Sequence, residues 1–268
     1  MIKTTPQLAV QLYTVRDFFQ TPDDMKRSLE KISAIGYRAV QLSAVGAMNG
    51  ETPPVSAESA RQMLDDNGLG CIATHRSWDS LKNATEQEIA FHQTLGCDFV
   101  AIGSLPGEFR ARGADGYREC ARQAVELAEQ LAPAGLRLGY HNHAFEWEKE
   151  NGIAFFEVLQ SSGVMMELDV YWIAHAGANP QRVVESCAGQ IPVVHVKDKA
   201  MIGDEAVMAP VGEGNLDWDN LLPALARSGA EFLAVEQDIC RRDPFDCLRS
   251  SWDFLSAHPA LQPKSTPE

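Results

Sequence analysis

Eight short, nearly continuous apolar runs punctuate the chain, at about 7–13, 37–42, 69–75, 97–103, 136–142, 164–169, 191–196 and 231–237. Cys97-Asp98-Phe99-Val100-Ala101-Ile102 and Ile191-Pro192-Val193-Val194 are typical. Runs without strict alternation suit strands covered on both faces, as in a parallel sheet. Most neighbouring runs are separated by a segment with helical periodicity, which a parallel crossover requires.

The junctions repeat as well. Gly36, Gly68, Gly96, Gly135, Gly163 and Gly229 each close a helical segment just before an apolar run. Glycine suits the left-handed conformation just past a helix end. Helix starts are marked by Thr21-Pro22, Asn179-Pro180 and Asp243-Pro244, by Ser56 and Asp217 as N-caps, and by Thr85-Glu86-Gln87-Glu88 as a capping box. Eight βα units in 268 residues leave about 33 residues each, which predicts a single-domain (β/α)8 TIM barrel over residues 1–268. A doubly wound sheet usually carries a glycine-rich loop after its first strand. Here that strand exits into Tyr13-Thr14-Val15-Arg16-Asp17.

Composition narrows the function. Lys and Arg number 23 against 37 Asp and Glu, a formal net charge of −14, which disfavours a binder of phosphate backbones. An apolar content of 45% excludes a disordered chain. No segment has the length of a signal peptide core or a membrane span, so a cytoplasmic protein is expected. Six scattered cysteines, Cys71, Cys97, Cys120, Cys187, Cys240 and Cys247, read as reduced packing residues.

Active sites of such barrels lie at the carboxyl ends of the strands. The residues there are Gln11 and Tyr13, Gln41, His75 with Arg76 and Trp78, His141-Asn142-His143 with Glu146 and Trp147, Glu167 and Asp169 with Trp172, His195 with Lys197 and Asp198, and Glu236 with Asp238. Four of the seven histidines fall at these positions. Period-two geometry puts His141 with His143, Glu167 with Asp169, His195 with Lys197, and Glu236 with Asp238 on common faces. Carboxylates at the rim of a core need pairing, hydrogen bonds or a metal. Glu146, Asp169, His195 and Glu236, one from each of four consecutive strand ends, suit a divalent ion such as Mn2+, Co2+, Mg2+ or Zn2+. His141 is the alternative strand-five ligand. Trp78, Trp147 and Trp172 fit either barrel capping or sugar stacking, and Lys197-Asp198 fits a surface ion pair. The loop from about 199 to 217 is long enough to act as a lid.

Several runs carry a family resemblance. Val10-Gln11-Leu12-Tyr13-Thr14-Val15-Arg16-Asp17, Tyr140-His141-Asn142-His143-Ala144-Phe145-Glu146-Trp147, Glu167-Leu168-Asp169-Val170-Tyr171-Trp172, His195-Val196-Lys197-Asp198, Val211-Gly212-Glu213-Gly214 with Leu216-Asp217-Trp218, and Val235-Glu236-Gln237-Asp238 occur in this order over nearly the whole chain. Together they resemble the sugar phosphate isomerase/epimerase family of the xylose isomerase-like barrels. The resemblance implies one divalent metal, most often manganese, with Asp169, His195 and Glu236 as ligands and Glu146 carried over from the strand-five motif. Ketose 3-epimerases of this superfamily place a His three residues after the strand-six Asp, where this chain has Trp172. That departure leans toward the inosose dehydratase-like and keto-glycoside-processing branch.

The expected chemistry is proton abstraction beside a sugar carbonyl, through a metal-bound enediolate, in a sugar, sugar phosphate or keto-sugar isomerase or epimerase. The same site can also serve a dehydratase or lyase. His143 is the first candidate base, with His141 or Glu236 as alternatives, and Lys197 would bind a hydroxyl or stabilise developing charge. Gln11, Tyr13, His75 and Trp172 would shape the sugar pocket. The expected partner is a small sugar, with no nucleic acid and no membrane, and a homo-oligomer is compatible with the sequence. An endonuclease IV-like nuclease on this barrel would need more histidine ligands and a basic face. A non-catalytic sugar-binding barrel would require a missing ligand.

Overall fold

The structure is a computed structural model that describes residues 5–262. The expected domain span of 1–268 therefore reaches, at residues 1–4 and 263–268, outside the described residues. Eight parallel strands close into a barrel: β1 (Gln7–Gln11), β2 (Ala39–Leu42), β3 (Gly70–Arg76), β4 (Phe99–Ile102), β5 (Arg137–His141), β6 (Met165–Asp169), β7 (Val193–Val196) and β8 (Phe232–Val235). Each pairs with the next in sequence, and β8 returns to β1 through Gln7↔Phe232 and Val10↔Val235. Helices pack around the outside. The (β/α)8 expectation holds, with strands slightly shorter than the apolar runs.

The glycine junctions act as read: all six adopt positive φ, from 62° at Gly68 to 132° at Gly36. Thr21, Ser56, Asn179, Asp217 and Asp243 each cap a helix through a side-chain oxygen. The capping box does not form. The helix at Thr85–Leu95 starts one residue earlier than the box requires, and Thr85 Oγ1 donates back to the Leu81 carbonyl. Glu88 instead receives the Arg76 guanidinium at 2.7 and 2.6 Å. A buried carboxylate gains more from that fork than from an N-terminal amide, and the pairing turns Arg76 toward the helix.

Inside the barrel the two ends differ. At the amino end Ala9, Ala39, Ala73, Phe99, Ala101, Val193 and Ala234 form a small apolar cluster. The small residues make room for the Phe99 ring, and a Cβ at Gly139 would lie 2.4 Å from its Cζ. Two residues further along, the inward positions become Gln11, Gln41, His141, Glu167, His195 and Glu236, all buried. Strand periodicity thus converts an apolar floor into a polar ceiling within one step.

The segment expected as a lid is more ordered than a loop. Asp198–Ile202 and Glu205–Ala209 form an antiparallel hairpin. The surface ion pair expected for Lys197-Asp198 is absent, because both side chains are buried and Asp198 has its own task. Its carboxylate accepts the amides of Lys199 (2.8 Å), Gly212 (2.9 Å), Gly214 (3.0 Å) and Leu216 (3.2 Å), and the Trp218 indole N–H (2.7 Å). A Cβ at Gly214 would fall 2.3 Å from Asp198 Oδ1, which explains why glycine stands there. Asp198→Asn replaces an acceptor oxygen with a donor facing several N–H groups, so a loss of about 1–3 kcal/mol is expected. Limited proteolysis should show faster cleavage within 199–217; unchanged cleavage would contradict the anchoring role. Among the described residues no helix is long and apolar enough to cross a membrane.

Candidate active site

The mouth of the barrel holds four carboxylates (Glu167, Asp169, Glu236, Asp238), the ammonium of Lys197 and the imidazoles of His75, His141 and His195. Glu167, Asp169, His195 and Lys197 are 0–1% exposed. Lys197 Nζ lies 2.7 Å from Asp238 Oδ1, 2.9 Å from Glu236 Oε2 and 3.1 Å from Asp169 Oδ2. Burial works against its charge, yet these three carboxylates outweigh it and push its pKa up. Burial, then the Glu236 charge, raises Asp238 to about 6. Asp169 is raised too, mainly by burial. Glu236 moves down, because Lys197 and His195 overcome its burial.

His195 connects two groups. Its Nδ1 lies 3.0 Å from Glu236 Oε2 and 4.0 Å from Asp169 Oδ2. Its Nε2 lies 2.8 Å from Gln41 Oε1 and 3.3 Å from Glu167 Oε2. Gln41 Nε2 donates to Glu167 Oε1 at 2.9 Å, which leaves the Gln41 oxygen facing His195. An amide oxygen only accepts, so His195 Nε2 carries a proton, and a cation would bind at Nδ1 by displacing the proton that faces Glu236. Burial opposes a charge on His195, but Glu167 and Glu236 prevail and lift its pKa to about 10.

Asp169 Oδ2, His195 Nδ1 and Glu236 Oε2 are buried without an aligned hydrogen bond, although Lys197 is within ion-pairing distance of both carboxylates. Ligand atoms of these three residues lie within 4.8 Å of one another. The Lys197 ammonium and the His195 imidazolium among four carboxylates leave negative charge to be neutralised. Two carboxylate oxygens and one imidazole nitrogen converging in this way fit a divalent ion. Asn142 fixes Asp169 from behind, accepting its amide at 3.0 Å. Asp169 Oδ1 takes the Trp172 amide at 3.1 Å, so the residue caps a helix through one oxygen and turns the other toward Lys197 and His195.

Glu146 does not join them. Tyr140 Oη donates to its Oε1 and the His143 amide to its Oε2, both at 2.8 Å. With both oxygens engaged under the β5 turn, Glu146 holds the His143 segment in place and lies apart from the three other expected ligands. His141 joins the second group instead: its Nδ1 is 3.5 Å from Glu167 Oε2. His75 Nε2 hydrogen-bonds the same oxygen. His143 stands at the rim with its side chain 30% exposed, between the rings of Phe145 (5.5 Å) and Trp172 (5.7 Å).

The pocket residues divide. Gln11 is fully buried, with Nε2 unpartnered and Oε1 accepting the Tyr13 amide at 3.3 Å. Tyr13 is exposed at the mouth beneath the Arg16 guanidinium. Trp172 flanks Lys197, whose Nζ is 5.6 Å from the ring centre. Trp78 and Trp147 pack instead on Phe109 and Phe156. Glu167 and Gln41 were not assigned a role from sequence. The signal was present in the shared face of Glu167 and Asp169, because a carboxylate pointing into a barrel needs partners as much as its neighbour does.

The family described as xylose isomerase-like TIM barrel matches residues 29–255, and the chain belongs to it. Among solved structures, a sugar phosphate isomerase/epimerase from Parabacteroides distasonis superposes with a TM-score of 0.79 at 22% identity, covering 97% of each chain. An L-ribulose 3-epimerase gives 0.68 at 18% identity, covering 96% of this chain and 94% of the other. The probable 3-DHS dehydratase AsbF from Bacillus anthracis gives 0.69 at 13% identity, covering 93% and 98%. At these identities the likeness is one of fold. No curated protein matches by sequence.

Proposed function

We propose that the protein is a divalent-metal-dependent isomerase or epimerase of sugars or keto-sugars, working by proton transfer at the carbon beside a carbonyl. The observation that carries this reading is the convergence of three buried ligand atoms, from Asp169, His195 and Glu236, beside the buried Lys197 ammonium. These residues would hold the ion, with Mn2+ first and Co2+, Mg2+ or Zn2+ as alternatives. When bound, it would supply Lewis acidity toward a substrate carbonyl.

The chain's own groups divide the remaining work. His143, at the rim with its Nδ1 turned toward Glu146 Oε1 at 3.7 Å, takes the proton from the carbon and returns it. Lys197 turns one of its three N–H bonds from a carboxylate to the oxygen on which negative charge develops. The carboxylates that surround it keep it charged for that task. Gln11 Nε2 offers a donor to a hydroxyl, Tyr13 and Trp172 present ring faces, and His75 lines the β3 side. Glu146 positions His143 through its backbone amide. The ligand is a small sugar of the cytoplasm, with neither nucleic acid nor membrane involved, in keeping with the net charge of −14.

A dehydratase is the second reading, favoured by Trp172 at the position where ketose 3-epimerases of the resembled superfamily carry histidine. Both share the first proton abstraction and part afterwards. A screen of keto-sugars and inososes with Mn2+ in deuterium oxide separates them: isomerisation or epimerisation incorporates deuterium into a product of unchanged mass otherwise, and dehydration yields a product lighter by one water. His143→Gln should reduce solvent exchange by about 100-fold or more. Undiminished exchange in that variant would remove His143 as the base. No exchange with any such substrate would remove the reading.

A further inference from the structure

We propose that His75, His141 and Glu167 form a second divalent-cation site, separate from Asp169, His195 and Glu236 and independent of which sugar the protein takes. His75 Nε2 and His141 Nδ1 converge on Glu167 Oε2, the first in a short hydrogen bond and the second at 3.5 Å. One ligand atom from each, together with His195, falls within 4.8 Å of the others. His141 is 4% exposed, and its Nδ1, aimed at Glu167, has no hydrogen bond.

Charge gives the second argument. Asp169, Glu236 and Asp238 have Lys197 among them, but Glu167 is faced only by imidazoles and the Gln41 amide. The His195 imidazolium meets this buried carboxylate on one side, and on the other His75 Nε2 and His141 Nδ1 present nitrogens that can ligate a cation. His195 is the poorest ligand of the four here, since its Nε2 proton is directed by Gln41 Oε1. That leaves two imidazoles and one carboxylate oxygen.

The surroundings are those of a working site. Gln41 holds the other oxygen of Glu167 at 2.9 Å. Ser43 Oγ lies 3.4 Å from His75 Nδ1, where it can accept the proton that fixes the ring for binding through Nε2. The His75 side chain is 19% exposed and borders a cleft of about 530 Å3 lined also by Trp78, Gly103 and Pro106. The cleft gives solvent access to the His75 side of the group. Two imidazole nitrogens and one carboxylate oxygen are a donor set that suits Zn2+ or Co2+, whereas the carboxylate-rich group beside it suits Mn2+ or Mg2+.

Titration of chelator-stripped protein with Co2+ alone tests this, followed by calorimetry and visible absorption. Wild type should take up two equivalents per chain. His141→Asn and His75→Asn should each retain one and lose the visible band of the nitrogen-rich site. Glu236→Gln should retain one and keep that band. Far-UV circular dichroism confirms folding, and His75→Asn, at a half-buried position, serves if His141→Asn does not fold. Uptake of one equivalent by wild type, or loss of the same single equivalent in both the histidine variants and Glu236→Gln, would overturn the proposal. The readout is stoichiometry, so a mistaken sugar class leaves it intact.

Discussion

Glu236→Gln is expected to cut turnover by more than about 100-fold and to remove tight cation binding at the Asp169 group. Loss of outer partners of a metal ligand already costs about 10–100-fold, and Glu236 offers its oxygen directly. The change is nearly isosteric, so packing around β8 is preserved. Chemically it removes one of the two carboxylates that hold His195 up near 10 and one of the three around Lys197. Calorimetry with Mn2+, paired with the deuterium-exchange assay, checks both effects. Full turnover with unchanged Mn2+ affinity would remove Glu236 from the site.

Lys197→Met is expected to cost about 3–5 kcal/mol of folding stability at pH 8 when divalent metal is withheld. The methionine fills much of the same volume, but Asp169, Glu236 and Asp238 then face one another with no ammonium among them. Asp238, already raised to about 6 by burial and by Glu236, and Asp169, raised mainly by burial, move further up. For a carboxyl whose folded pKa exceeds its unfolded value, the folded state binds the proton more tightly. The penalty is absent below the unfolded pKa of about 4, grows as the pH rises, and is complete above the folded pKa. The deficit against wild type should therefore be large at pH 8 and small near pH 4.5, and added Mn2+ should reduce it at pH 8. Urea unfolding at both pH values measures it; an equal deficit at both would contradict the electrostatic explanation.

Much of the architecture could be read along the chain. Gly36, Gly68, Gly96, Gly135, Gly163 and Gly229 marked the helix ends because a positive φ is a local demand that one residue type meets cheaply. Apolar runs marked the strands because both faces of each are covered. The capping box at Thr85 misled because local propensity was overruled by a buried partner: Glu88 went to Arg76, and the helix began elsewhere.

The site was partly legible for a similar reason. Period-two alternation is local, so the shared faces of His195 with Lys197, and of Glu167 with Asp169, followed from sequence. Which carboxylates meet is a matter of strand register and turn geometry, and neither is written locally. Glu146 follows the β5 strand closely enough to suggest a ligand, yet the turn brings its oxygens under Tyr140 Oη and the His143 amide. Lys197 and Asp198 are adjacent, yet successive side chains on an extended chain point apart. One enters the carboxylate group of the mouth, and the other gathers the amides of the 199–217 segment. The sequence alone determined eight βα units and the set of polar residues at their carboxyl ends, because helix stops and strand periodicity act over a few residues. Closure of the barrel decided the partners. It set Gln41 of β2 across from Glu167 of β6 and His195 of β7, and with that contact divided one row of polar residues into two groups.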